Sequence, residues 1–301
     1  MNRTGDVNSS GEYVTQIKDR KRRVGITLGT LSMGRVGIIS ISVANMQKAL
    51  TIGLRYSVAR RQFGPPSTDG KNSTEWPVIE YQMQQWRLFP YLAATYVLDI
   101  FCQSFLRDFL NFQVAVLFGT NSASLAELGQ EIHAIACAVK PVSGWLCRDA
   151  IQECREACGG HGYLKASGLG NLRDDHDANN TYEGDNNVIQ MQTSNFIIRK
   201  YKHAIEARKS PVLPTDEELG NDGNVKSQLR SLDFLNTAEE HVKTKFDVSN
   251  EEQLMNIDTI LRAYRFLISY LLFRSIEKYE IELKKSNGNV FSARENSQVS
   301  L

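Results

Sequence analysis

Long blocks of apolar residues with few turn-forming residues dominate the chain and predict helices. The first block, about residues 24–61, carries apolar residues on more than one face, as a helix buried on several sides does. A second block is predicted over about residues 78–118 with a kink at Pro90. A third is predicted over about residues 123–158, interrupted near Pro141. Helices of this kind pack as an antiparallel bundle, so the predicted fold class is all-α.

The segment that follows the third block is predicted to be a long loop that leads into another helix. The pair Gly159-Gly160 is placed to end the third helix, because glycine is common just past a helix C-terminus. Asn186 or Asn187 is placed to cap a new helix that extends to about Tyr201. The loop therefore brings Glu183 to a helix N-terminus.

The two ends of the chain have different patterns. Near the N-terminus, residues 13–17 alternate between apolar and polar, which predicts one short strand. Residues 209–230 begin with a polar stretch containing prolines and glycines, which predicts a linker and a domain boundary. Beyond it, apolar residues three and four positions apart predict one amphipathic helix whose stripe needs a partner surface. The stripe consists of Leu254, Ile257, Leu261, Tyr264, Ile268, Leu271 and Ser275.

Composition narrows the function classes. With 301 residues, 42% of them hydrophobic, the chain can bury a core in one large domain or two modest ones. The 35 Lys and Arg residues nearly balance the 34 Asp and Glu residues, so there is no global basic field for nucleic acid or an anionic membrane. The longest apolar stretches, residues 36–46 and 266–273, are shorter than the ~18 residues that a membrane-spanning helix needs. We therefore expect a soluble protein that binds neither nucleic acid nor a membrane.

The cysteines are expected to be free thiols, because an odd number in a chain of this length argues against a disulfide framework. Cys154 and Cys158 lie four positions apart and His161 follows them, which is compatible with a metal site. A structural zinc site needs four ligands, however, and no second Cys/His pair completes this one. We therefore expect no metal. The five cysteines are Cys102, Cys137, Cys147, Cys154 and Cys158.

Glu183 is the candidate catalytic residue, although a glutamate in a loop is more often a solvated surface residue. Tyr182 would supply a wall that excludes water, and Gly184 would let a ligand approach the backbone. The helix that follows offers free N–H groups and a partial positive charge to a phosphate or an oxyanion. A carboxylate placed in this way suits the abstraction of a proton from carbon, provided that an electron acceptor is supplied.

Four motifs occur in an order and spacing that resemble a known family. Residues 59–64 (ARRQFG), 159–163 (GGHGY), 173–174 (RD) and 182–186 (YEGDN) resemble the C-terminal half of the acyl-CoA dehydrogenase and oxidase superfamily. Each motif alone is a weak signal, whereas four that agree form a specific one. Asp185, the acid after the glycine in the last motif, resembles the oxidase branch more than the dehydrogenases. The resemblance extends over the whole chain.

The resemblance implies an activity. The chain is similar to peroxisomal acyl-CoA oxidases, in particular to those of methyl-branched, pristanoyl-type acyl-CoAs, along residues 83–88 and 154–187. Such enzymes use FAD to desaturate an acyl-CoA to a trans-2-enoyl-CoA, and O₂ is reduced to H₂O₂. The expected partners are therefore acyl-CoA and O₂, and the expected location is the peroxisome, although the C-terminal residues Val-Ser-Leu match a peroxisomal import signal poorly.

The resemblance also implies roles for individual residues. Glu183 matches the base that removes the α-proton, with Tyr182 and Gly184 at the substrate. Residues 60–63 match a segment that reaches the FAD of a neighbouring subunit, which implies a homodimer; a guanidinium suits phosphate, but a solvated helix end is the alternative. The pair Gly159-Gly160 matches a turn near the flavin, although a simple helix stop is compatible too. The implied FAD contacts are Arg60, Arg61, Gln62, Phe63, Gln82, Gly159, Gly160, Asp185 and Asn186.

The resemblance implies a domain map and leaves two alternatives open. Residues 1–23 would be a remnant of the middle β-domain, 24–208 the helical bundle with the flavin and catalytic motifs, and 231–301 part of a second helical domain. Further domains would precede residue 1 and follow residue 301. The chain could then be a catalytically silent form that docks on a full-length oxidase, or an acyl-CoA dehydrogenase.

Overall fold

The computed structural model describes residues 5–15, 20–65, 74–118, 123–209 and 224–297, without the side chains of residues 20–31, 123, 207 and 209. Five short 3₁₀ helices accompany the main elements of these ranges: Val78–Glu80, Gly159–Tyr163, Lys165–Ser167, Ala178–Asn180 and Asp233–Asn236. The strands and α-helices are β1 (Asp6–Val7), β2 (Tyr13–Val14), α1 (Arg20–Ala59), β3 (Arg61–Gln62), β4 (Trp76–Pro77), α2 (Gln82–Leu117), α3 (Ala123–Ala157), α4 (Leu169–Asp177), α5 (Asn186–Lys209), α6 (Ala238–His241), α7 (Glu251–Met255), α8 (Ile257–Lys285) and α9 (Val290–Ser297).

The chain forms two compact units that interleave along the sequence. The first consists of Met1–Phe118 and Ala136–Ile189, and the second of Gly119–Ile135 and Gln190–Leu301. The helices α3 and α5 each contribute residues to both units. The predicted fold class, an all-α bundle with a short β element near the N-terminus, is confirmed. The domain boundaries that we drew from the sequence stay predictions.

Buried apolar residues of α1, α2 and α3 form the core of the first unit. The α1 residues Ile39 and Met46 have no exposed surface, and Leu88 of α2 and Ile151 of α3 are equally buried. Small residues let the helices approach closely, because a Cβ at Gly53 would lie 3.1 Å from the Cys154 sulfur. The helix predicted over residues 24–61 is thus a central element, as its apolar residues on several faces require.

The interruption predicted near Pro141 is wrong, because α3 runs through this proline without a break. A proline within a helix removes the hydrogen bond to the carbonyl four residues earlier, here that of Cys137, and disfavours the helix by about 3 kcal/mol. Lys140, Pro141 and Ser143 are all buried. Burial of this stretch in the first unit outweighs the local cost, which a sequence pattern cannot show. Pro90 also lies inside a continuous helix, α2.

The segment predicted to be one long loop contains an additional helix, α4, and three of the 3₁₀ turns. The sequence missed α4 because its nine residues, with two glycines flanking its start, show little apolar periodicity. The next helix, α5, extends to Lys209 and not only to Tyr201. Its N-cap is Asp185, whose Oδ1 accepts a hydrogen bond from the Asn187 N–H at 2.9 Å, so the predicted caps were one or two residues late.

The strand predicted over residues 13–17 is present as β2, and its last two residues lie outside the described ranges. It pairs antiparallel with β1 in a small hairpin, Asp6 opposite Val14 and Val7 opposite Tyr13. The greater part of the predicted linker, residues 210–223, also lies outside the described ranges.

The predicted amphipathic helix is divided, and its stripe faces outward from Leu254 to Leu271, whereas Ser275 is buried. Asn256 has an extended conformation, and its side chain caps α8 by accepting from the Asp258 N–H at 2.8 Å. Ile257 and Tyr264 are 73% and 67% exposed, whereas Leu272 of α8 packs into the core of the second unit with Tyr201 and Leu235. The stripe still needs a partner surface.

Within the described ranges, two helices, Ser32–Ala59 and Gln82–Leu117, are long and apolar enough to cross a membrane by length and composition alone. Core helices of soluble proteins meet the same criterion, and 56% of the apolar window in the first is buried within the protein. Each of these helices contains a longer segment of high mean hydropathy than the uninterrupted apolar stretches in the sequence. The absence of a membrane partner stays a prediction.

In the second unit, the buried carboxylate of Glu131 holds residues 227–231. It accepts hydrogen bonds from the hydroxyls of Ser227 (2.6 Å) and Ser231 (2.5 Å). It also accepts from the backbone N–H groups of Gln228 (2.9 Å), Leu229 (3.3 Å) and Ser231 (3.2 Å). A carboxylate can accept this many bonds because both its oxygens are acceptors.

We expect Glu131→Gln to destabilise the chain by about 2–3 kcal/mol, because the new NH₂ group would face N–H donors and leave them unsatisfied. The measurement is urea unfolding followed by circular dichroism, with hydrogen exchange of residues 227–231 to localise the effect. Glu252→Gln, at an exposed position of α7, is the matched control and should change stability by less than about 0.5 kcal/mol. Equal stability of the two variants would contradict this role of Glu131.

Candidate functional site

Glu183 and Gly184 form a left-handed turn immediately before α5. Their φ angles are 58° and 106°, a region that is strained for glutamate and permitted for glycine. The carboxyl group of Glu183 lies against Gly34 of α1: a Cβ at Gly34 would be 2.5 Å from the Glu183 Cδ. The absence of a side chain at this glycine therefore makes room for the carboxylate.

Two buried cations bond to the two successive carbonyls of this turn. The Arg35 Nε of α1 donates to the Glu183 carbonyl at 3.0 Å, and the Lys140 Nζ of α3 donates to the Gly184 carbonyl at 2.8 Å. Arg35 is 5% exposed and Lys140 has no exposed surface. Burial, reinforced by the Arg35 charge, lowers the pKa of Lys140 to about 8, while Asp185 and Glu183 act in the opposite direction.

Amide side chains extend this arrangement into the start of α5. Lys140 Nζ also donates to the Asn186 Oδ1 at 2.8 Å, and the Asn186 Nδ2 donates to the Asn180 Oδ1 at 3.0 Å. Asn186 is buried, and both ends of its amide are occupied within the chain. A Cβ at Gly144 of α3 would lie 2.8 Å from the Asn180 Oδ1, so this glycine allows the close approach.

A second set of buried polar residues is joined to Tyr182, the residue before the turn. The His176 Nε2 of α4 lies 2.8 Å from the Gly144 carbonyl, and its Nδ1 lies 3.1 Å from the Asn179 Nδ2. Burial lowers the pKa of His176, which favours a neutral ring. The Tyr182 hydroxyl donates to the Asn179 Oδ1, so the aromatic residue beside Glu183 is tied to the same set. Tyr182 as a whole remains 47% exposed.

The predicted FAD contacts outside this turn come together at another place in the first unit. Tyr56, near the end of α1, places its hydroxyl 3.2 Å from the His161 Nδ1, and Gln84 of α2 donates to the Ala157 carbonyl at 3.0 Å. These contacts join the α1 end, the α2 start and the glycine turn. Gly159-Gly160 is exposed, and a Cβ at either glycine would meet nothing within 4 Å, so its backbone is open to a ligand.

The residues around the end of α1 are held by a small antiparallel pair of strands. Arg61 lies opposite Pro77 and Gln62 opposite Trp76. Phe63 follows with a positive φ of 57° and a ring that is 71% exposed. The predicted contacts of this group that face outward are Arg60, Arg61, Phe63, Gln82, Gly159 and Gly160.

The structure therefore brings the predicted site residues together in two groups. Glu183 contacts Arg35, whereas His161 contacts Tyr56, which is 21 residues further along the same continuous helix. At 1.5 Å per residue, the two contact points on α1 are about 30 Å apart. Tyr182, Gly184, Asp185 and Asn186 belong to the Glu183 group, and the remaining predicted residues to the other.

Sequence reasoning missed Gly34, Arg35 and Lys140. A detectable signal existed for Lys140, because a lone lysine directly after the apolar run of residues 134–139 is a candidate for a buried, paired charge. Arg35 likewise interrupts the apolar face of α1. No group of three or more His, Cys, Asp or Glu side chains in the described ranges could hold a metal ion. All five cysteines are buried free thiols.

Comparisons with known proteins agree with the fold. The model of the acyl-CoA oxidase C-alpha1 domain matches residues 28–198. Peroxisomal acyl-coenzyme A oxidase 3 of Homo sapiens is 45% identical over 301 residues, 100% of this chain and 40% of that protein. Acyl-coenzyme A oxidase acox-3 of Caenorhabditis elegans is 38% identical over 99% of this chain and 40% of its own length.

A solved structure shows the same architecture. The acyl-CoA oxidase LeACX1 of tomato superimposes with a TM-score of 0.77 at 26% identity, covering 99% of this chain and 41% of that one. The chain thus spans about 40% of the length of the curated relatives that it matches. The family model covers more than half of the chain, including both groups of site residues. On these grounds, the chain belongs to the acyl-CoA oxidase family.

Proposed function

We propose that this chain carries the catalytic base of an FAD-dependent acyl-CoA oxidase, which desaturates an acyl-CoA to a trans-2-enoyl-CoA. The observation that carries the proposal is the strained turn that bears Glu183 just before α5, whose two backbone carbonyls accept hydrogen bonds from two buried cations. Strain of this kind persists where the surroundings enforce it, and it is concentrated at functional sites. A solvated surface glutamate would not need such support.

Glu183 would remove the proton from the α-carbon of the thioester, and the proton would stay on its carboxyl group. The backbone N–H of Glu183 would polarise the thioester carbonyl, which makes the α-proton more acidic. The exposed ring of Tyr182 would limit access of water to the reacting carbon. FAD, when bound, supplies an acceptor for the β-hydrogen as hydride and returns to its oxidised form with O₂, which yields H₂O₂.

The described residues fit FAD in two respects. The open backbone at Gly159-Gly160 would let a large planar or phosphorylated group approach closely. The exposed guanidinium groups of Arg60 and Arg61, beside the exposed Phe63 ring, suit a pyrophosphate and a ring face. Asp185 serves α5 as its N-cap, and Asn186 is bonded within the chain, so we assign both residues to the support of the turn.

We further propose that two copies of the chain complete the site. The separation of about 30 Å along α1 prevents residues 60–63 from contacting a reacting group at Glu183 of the same chain. A homodimer in which residues 60–63 of one copy reach the FAD used by the other explains why two distant groups carry complementary chemistry. Because the human relative is named a peroxisomal oxidase, we propose the peroxisome as the location of this chain.

An exposed apolar face of α2 supports a second candidate function. A catalytically silent chain could dock through this face on a longer oxidase, because contiguous exposed apolar surface marks protein interfaces. The face includes Met83 (69% exposed), Trp86 (77%), Tyr96 (66%), Val97 (67%) and Ile100 (70%).

The absorption spectrum of the purified chain tests the main proposal, and we expect a bound flavin that a saturated straight-chain or methyl-branched acyl-CoA bleaches. Glu183→Gln keeps the side-chain volume but cannot accept the α-proton, so bleaching should slow by roughly 10²–10⁴-fold. Glu252→Gln is the matched control and should bleach at the rate of the unchanged chain. Release of peroxide on reoxidation identifies an oxidase, whereas bleaching without peroxide indicates a dehydrogenase. A folded, colourless chain would favour the docking function.

We expect Gly34→Ala to slow the reaction without loss of stability. The added methyl would displace the Glu183 carboxyl group, the flexible end of its side chain, while alanine favours the helix by about 1 kcal/mol. A displacement of this size should lower the bleaching rate by roughly tenfold or more. Gly37→Ala, where a Cβ would meet nothing within 4 Å, is the control one turn away. If both variants react alike, the position of the Glu183 carboxylate is not critical.

A further inference from the structure

The strained turn at Glu183 must be stabilised by contacts with other parts of the chain. A residue other than glycine in the left-handed region is disfavoured by roughly 1–2 kcal/mol, and here a glutamate occupies it, followed by a glycine with φ of 106°. A Cβ at Gly184 would lie 2.4 Å from the Ile189 side chain, so the turn is also closely packed. The peptide planes around Glu183 decide where its side chain begins, and thus where its carboxylate can reach.

Lys140 is the cation that connects this turn to the next helix. Its ammonium group bonds to the Gly184 carbonyl and to the Asn186 side chain, both at 2.8 Å. Arg35 donates to the Glu183 carbonyl of the turn, and its Nη1 lies 3.3 Å from the Cys137 sulfur. Lys140 therefore holds the C-terminal side of the turn to the first residue of α5.

Burial of the Lys140 ammonium group destabilises the folded chain unless its hydrogen bonds compensate for the lost hydration. An ammonium group without exposed surface loses its hydration, and its charge lies close to that of Arg35. Helix propensity does not require a lysine here, because other residues of similar length fill a buried helix position at lower cost. The hydrogen bonds from Lys140 to the Gly184 carbonyl and to the Asn186 side chain offset this desolvation cost.

We propose that Lys140 is a positioning residue for the Glu183 base, acting by fixing the Gly184 carbonyl and the Asn186 side chain. This inference rests on the proposed role of Glu183. Loss of the ammonium group would leave the part-buried Gly184 carbonyl and the buried Asn186 side-chain oxygen without this donor, and the turn would relax toward an unstrained conformation. The carboxylate would then spend less time at the α-carbon, although the regions that bind the rest of the acyl-CoA would be unchanged.

The test compares Lys140→Met, which keeps the length of the side chain and removes its donors, with Lys140→Gln, which keeps one N–H donor group. In Lys140→Met we expect the amides of residues 187–189 at the start of α5 to exchange hydrogen roughly tenfold faster or more. In turnover, kcat should fall roughly tenfold or more while KM for acyl-CoA changes less than about threefold. Lys140→Gln should restore part of kcat and of the protection.

Lys200→Met is the matched control, because Lys200 is a buried lysine in the part of α5 that belongs to the second unit. Lys200→Met should lower the overall stability of the chain without selectively accelerating hydrogen exchange at the amides of residues 187–189. Unchanged exchange and unchanged kcat in folded Lys140→Met would overturn the proposal. If Lys140→Met does not fold, Lys140→Gln is compared with the unchanged chain instead. A kcat of Lys140→Gln equal to that of the unchanged chain then overturns the proposal.

The two proposals fail in different ways. If the unchanged chain neither binds flavin nor turns over acyl-CoA, or if Glu183→Gln retains full activity, the proposed function fails. The exchange measurement needs no flavin and still shows whether Lys140 holds the turn. If Glu183→Gln is inactive and Lys140→Met has full activity with an undisturbed turn, only the positioning role fails.

Discussion

The strained peptide turn at Glu183 and Gly184 depends on positive charge brought to it from two different helices. Arg35 and Lys140 each donate to one of its two successive carbonyls. Both cations are buried, which has a large desolvation cost that only well-formed hydrogen bonds offset. The relative placement of α1 and α3 is thereby linked to the conformation of a single loop residue, Glu183.

This link explains several local features that would otherwise look unrelated. Gly34 precedes Arg35 and leaves space for the carboxyl group, and Gly144 follows Lys140 by one turn and leaves space for Asn180. The helix α3 continues through Pro141, directly after the buried lysine, although the sequence favours a break there. Glycine, proline and a buried lysine are each unfavourable within a helix, and the fold tolerates them because they lie around the loop that bears Glu183.

The exposed surfaces of the two units are unusually apolar in two regions. Trp86 and Ile100 of α2 and Ile257 and Tyr264 of α8 are each 67–77% exposed. Surface of this kind is normally covered by other protein. The chain spans about 40% of the length of its curated relatives, and the residues at the end of α1 are far from Glu183. Both facts agree with the proposal that two copies of the chain complete the site.

The sequence by itself determined the helical class, the extent of α1 and α2 to within a few residues, and the family, through motifs such as residues 182–186. Apolar periodicity and short motifs are local properties, so they can be recognised without coordinates. The burial of Lys140, the helix through Pro141, the outward direction of the α8 stripe and the two separate groups of site residues were decided by the tertiary structure alone. Each depends on which distant segments contact one another, and packing between such segments outweighs local preference.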